Sequence, residues 1–141
     1  MHLTITPRFL PAAFAAVAFT AACADDPNVP AAGVAGAYHA TMFAVASGGP
    51  ALDLLALGAT LTMTLDADHT TTGRLFVPAA VAGDEPLDES LSGSWRQSND
   101  TVYFAGSADT FVRDVPFVIR GATLHATEAT PNGVIQVTLS K

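Results

Sequence analysis

The residues able to do chemistry are few and scattered. Histidines stand at His39, His69 and His125, in different strand-like runs and turns of the chain. An imidazole acts as base or metal ligand only when other groups hold it in place. The spacing of these three points to no zinc site, and exposed or singly bonded histidines are expected. Asp66 and Asp68 begin like a calcium loop, but the next glycine is Gly73 and no glutamate closes the series, so a hairpin turn is the reading. Asp84, Glu85, Asp88 and Glu89 bring four carboxylates into six residues. A weak calcium site is conceivable there, and a solvated acidic loop is the commoner outcome. Cys23 is the only cysteine, which excludes an internal disulfide and any multi-cysteine metal site. The chain contains no Gly-x-Ser-x-Gly elbow, no His-Glu-x-x-His and no phosphate-cradling Gly-x-x-x-x-Gly-Lys. A non-enzymatic protein without cofactor or metal is expected.

The elements around these residues read as strands. Residues 92–106 carry two strand-like runs separated by Asn99-Asp100, residues that tolerate the positive φ of a two-residue turn. The sole tryptophan, Trp95, lies in the first run and Phe104 in the second, placed to face one interior as core anchors. Leu61, Met63 and Leu65 alternate with Thr60, Thr62, Thr64 and Asp66, a strand with one wet face. Asp68-His69 turns it, and residues 71–77 return. Residues 36–45 form a first strand whose faces are both partly apolar, so its register is not readable. Residues 51–57 stay open between a helical turn and an irregular strand. Residues 79–91 read as a loop. Residues 111–113 and 115–120 read as one strand region, with Pro116 at an edge or a bulge. Residues 123–127 and 134–140 close the chain around Pro131-Asn132-Gly133, a hairpin signal. The total is about eight short strands with turn residues between them and no convincing helix, the pattern of a sandwich or barrel. Consecutive hairpins favour an up-and-down barrel, because closure removes exposed edges.

The chain has 141 residues, enough for one domain. Beyond residue 22 it carries five basic and 13 acidic side chains, eight more acids than bases. That balance argues against nucleic acid, whose binders cluster Lys and Arg on phosphates. It also argues against charge-driven adhesion to anionic lipid.

The first residues resemble the export signal of a bacterial lipoprotein. Arg8 closes a weakly positive start, and residues 9–22 are apolar apart from Thr20, too short to span a bilayer. Thr20-Ala21-Ala22-Cys23 resembles a lipobox, in which a peptidase cuts before an acylated cysteine. Thr20 departs from the family, which usually has Leu there. The resemblance implies a signal peptide at 1–22, lipid attachment at Cys23 and a Pro-rich tether at 23–33. Ala24 follows the cysteine, so the inner-membrane retention Asp is absent and outer-membrane anchoring on the periplasmic side is implied. A rival reading remains: Ala22-Cys23-Ala24 also fits an ordinary signal peptidase, releasing a soluble periplasmic or secreted chain from Asp25.

Residues 34–141 resemble the lipocalin-like small β-barrel domains of such lipoproteins. The resembling pieces are Gly36-x-Tyr38, the Asp-x-x-His-x-x-x-Gly turn at 66–73, Gly93-Ser94-Trp95 with Asn99-Asp100-Thr101-Val102, and Val-Ile-Gln-Val-Thr-Leu at 134–139. Lipocalins proper carry Gly-x-Trp on the first strand, where this chain has Tyr38. The fold expected is therefore all-β, an antiparallel up-and-down meander closing into an eight-stranded lipocalin-like barrel. Such a barrel either fills with side chains or holds one small ligand. Bulky Met63, Leu65, Trp95, Phe104 and Phe117 favour a filled interior and a structural or interaction role. The alternative is a module holding a small apolar ligand. A monomer is expected, with the membrane as partner through its anchor, an envelope protein or apolar ligand as possible further partners, and no nucleic acid.

Overall fold

The structure, a computed structural model, describes residues 33–141. The signal segment 1–22, Cys23 and the tether through residue 32 lie outside the described residues. The strand segments are β1 (Gly36–Ala46), β2 (Leu52–Asp53), β3 (Thr60–Leu65), β4 (Thr70–Val77), β5 (Leu87–Ser90), β6 (Gly93–Ser98), β7 (Thr101–Gly106), β8 (Phe117–Arg120), β9 (Thr123–Thr130) and β10 (Gly133–Ser140). Two helical turns, α1 (Ala79–Ala82) and α2 (Phe111–Asp114), interrupt them.

These ten segments build a closed antiparallel barrel of eight strands. β5 and β6 are one bent strand. The register that sets Val77 opposite Leu87 and Arg74 opposite Ser90 continues unbroken to Thr71 opposite Gly93. Between them the Leu91 amide donates to the Gly73 carbonyl at 2.9 Å. β2 and β3 likewise lie along the same side of β1, as one strand cut by a turn. Asp53 Oδ1 closes that turn by accepting from the amides of Leu55 at 2.9 Å and Ala56 at 3.3 Å. Residues 51–57 thus contain both a strand start and a turn. β10 pairs with β1 to close the wall.

The register of β1 was unreadable for a physical reason. Its pairing with β10 shifts between Ala40 and Met42. A bulge moves the inward face by one residue. Tyr38 points inward before it and Phe43 after it, both buried, so apolar residues fall on both parities.

Two sequence expectations are corrected. Residues 79–91 are not merely a loop, since they contain α1 and β5. Residues 111–113 are not strand but α2. There β7 pairs with β8 only at Thr101–Val118 and Val102–Phe117, and the chain between crosses the barrel end. One helical turn lets Val112 and Val115 bury together, which outweighs their preference for a strand. Pro116 sits just before β8 and so removes no ladder donor.

The interior is filled. Leu61, Leu65, Leu75, Val102, Phe117, Leu124, Val137 and Leu139 are each at most 1% exposed. Phe104 meets Phe117 edge-on with ring centres 5.3 Å apart. Each buried side chain of this size contributes roughly 1.5–3 kcal/mol of burial free energy.

Candidate functional site

The barrel has two unlike mouths. The near mouth carries the start of β1 and three tight connections, residues 66–69, 99–100 and 121–122. The far mouth carries α1, α2 and the longer connections.

Trp95 organises the near mouth. It is 2% exposed. Its indole N–H donates to the Asp66 carbonyl at 2.9 Å, and its amide donates to the His69 carbonyl at 2.8 Å. The His69 ring lies 5.2 Å from the indole, and its Nδ1 is 3.3 Å from the Trp95 carbonyl. His69 takes φ 69, a left-handed conformation that tightens this turn. The Asp66–Asp68 pair therefore builds a hairpin turn. Asp68 Oδ1 accepts from the Thr70 amide at 2.9 Å and hydroxyl at 2.6 Å. At the same mouth, Val34, Tyr38, Asn99, Asp100 and Ile119 line an open depression of about 390 Å³. The Tyr38 hydroxyl donates to the Val34 carbonyl at 2.6 Å, and burial raises the phenol above its ordinary pKa. Lys141 Nζ donates to the carbonyls of Gly33 and Ala35, clasping the first described residues to the end of β10.

The three histidines among the described residues occupy separate places. His39 is exposed on β1. His69 stacks on Trp95 as described. His125 on β9 lies 2.8 Å from the Thr123 hydroxyl and 3.1 Å from that of Thr138. Among the described residues no three His, Cys, Asp or Glu side chains gather to hold a metal. The acidic stretch is divided: Asp88 forms a two-bonded pair with Arg74 at 2.7 and 2.6 Å, while Asp84 and Glu85 face solvent.

Sequence reasoning missed two buried polar atoms. Thr110 Oγ1 has no hydrogen-bond partner, although the residue is 7% exposed. Glu128 shares the inward parity of Leu124 and Ala126 on β9, and its Oε2 is also buried without a partner. Neither position carries a motif, because both follow from how the far mouth closes. Thr110 lines a small cavity under α2, of about 20 Å³, with Met63, Thr71, Leu91, Phe104 and Val112.

Comparison with known proteins returned no family model, no curated protein and no solved structure that matches this chain.

Three exposed carboxylates give the domain an acid dependence. The Arg74 guanidinium holds Asp88 below the ordinary value, the Thr70 hydrogen bonds hold Asp68 below it, and Arg113 does the same for Asp114. Folded pKa values below unfolded ones stabilise above the ordinary carboxylate pKa of 3.8, and the gain is lost as pH falls through the lower folded values. Thermal melts should therefore vary little between about pH 7 and 5 and decline below about pH 4. An Asp88→Asn variant should decline less steeply on acidification.

Proposed function

We propose that this chain is a lipid-anchored lipoprotein of a bacterial envelope, held at the outer membrane on its periplasmic side. Cys23 carries the acyl chains, and residues 24–33 tether a barrel that acts by its presence and its outer surface, without catalysis. The carrying observation is the filled interior, in which large side chains occupy the space an eight-stranded barrel would need for a ligand of ordinary size. The placement of the only cysteine, behind Ala21 and Ala22 at the end of an apolar run, supports the anchor. The described residues begin at the near mouth, so the tether would bring that mouth toward the membrane and leave α1, α2 and β5 facing away.

The test is intact-mass analysis and membrane fractionation after expression in a bacterial envelope. Wild type should begin at Cys23 with added lipid mass and partition with membranes, since more than one acyl chain anchors stably. Cys23→Ser should lose both properties. A wild-type chain beginning at Asp25 without lipid would sink the proposal.

A further inference from the structure

β9 loses one neighbour halfway along its length. Alternate residues of an antiparallel strand turn their N–H and C=O to opposite neighbours. On β9 the even-numbered residues bond β10 and the odd-numbered ones face β8, as the tight turns at 121–122 and 131–132 require. The pairing with β8 ends at Val118–His125. Continued by two residues, it would set Pro116 opposite Thr127, and proline has no N–H to give. Thr127 and Ala129 therefore turn their N–H and C=O groups to a side where no strand pairs with them, and both residues are exposed. Between them stands Glu128, whose Oε2 is buried without a hydrogen-bond partner. The ion pairs among the described residues do not include it.

We propose that this edge of β9 is a docking site for an extended, basic segment of a partner protein. The segment would add to the wall as a short strand, bonded through its backbone to Thr127 and Ala129. Its residue opposite Glu128 would be Lys or Arg, and would give the carboxylate the donor it lacks. Charge selects this occupant over the others. Two copies of the chain pairing edge to edge would bond Thr127 of one to Ala129 of the other and set their two Glu128 carboxylates face to face, a like-charge pair that opposes the contact. An apolar segment would cover Glu128 and leave it a buried, unpaired charge. The excess of eight acids beyond residue 22 also draws basic segments toward the barrel. The inference names a partner chemistry for the outer-surface role proposed above and rests on that role, not on the lipid anchor.

The experiment is a fluorescence-anisotropy titration of the full-length chain against the labelled peptide Val-Thr-Lys-Thr-Val. Saturable binding is expected. Replacing the lysine by norleucine keeps the stem and removes the charge, and should weaken binding about tenfold. Glu128→Gln should bind the lysine peptide about tenfold more weakly and the norleucine peptide no worse than wild type does. N-methylation of the two threonines removes the peptide donors that face β9 and should abolish binding, with no change to the protein. Cys23→Ser should bind as well as wild type, so failure of the anchor and failure of this site are separate results. Absence of saturable binding, equal affinity for the lysine and norleucine peptides, or full binding of the N-methylated peptide would each overturn the site.

Discussion

Replacing Trp95 by Ala should lower the stability of the barrel by about 3–5 kcal/mol. Small domains are stable by roughly 5–15 kcal/mol, so this is a large fraction of the whole. The loss has two parts. One is the apolar volume, because the ring is 2% exposed on the strand opposite Phe104. The other is the indole N–H, whose removal leaves the Asp66 carbonyl without that donor. Trp95→Phe separates them, since it keeps most of the volume and should cost only about 1–2 kcal/mol. Chemical denaturation of both variants gives the comparison. A Trp95→Ala domain with the wild-type midpoint would show that the residue does not anchor the core.

Gly133→Ala should be the most damaging glycine substitution, at roughly 3 kcal/mol, because two penalties of about 1–2 and 1–3 kcal/mol combine. Gly133 has φ 139, which L side chains rarely adopt. A Cβ placed there would also lie 2.2 Å from the Ala46 carbonyl oxygen and 3.0 Å from the Ser47 Cα. Those atoms belong to the end of β1 and its turn, so relieving the clash means opening the β1–β10 seam. Gly49→Ala is the control, since a Cβ there meets nothing within 4 Å and its φ is not in that region. Equal melting of the two variants would refute the assignment.

Much of the barrel was legible because its strands obey one physical rule. Leu61, Met63 and Leu65 alternate cleanly with threonines, and all three are buried as that alternation requires. Asn99 takes φ 54 at the centre of the hairpin, as its side chain allows. The hairpin near the end of the chain was legible in place but not in detail. Its central residues are Pro131 and Asn132, and Gly133 already pairs with Thr130. The alternation argument failed where tertiary closure decides. Nothing in Phe111-Val112-Arg113 distinguishes a strand from a turn of helix until the gap it must cover is known. For the same reason Thr110 was invisible as a candidate: a threonine becomes notable only when burial deprives it of partners. The acidic run was read correctly as solvated in part, but Asp88 belongs to β5, and its tie to Arg74 could not be read without the register.

The seam between β1 and β10 sets how this chain must fold. Every other pairing of the eight-stranded wall joins strands that follow one another along the chain, so it can form by closing a short loop. The seam instead brings together residues such as Thr41 and Ser140, 99 positions apart. Loop-closure entropy grows with the span joined, so this contact is the costliest to make and gains most from strands already in place. The meander should therefore assemble as a curling ribbon of neighbouring hairpins, with ring closure as its late step. Until that step both outer strands expose an unpaired backbone edge. A chain halted there would be the species most prone to associate with another copy of itself.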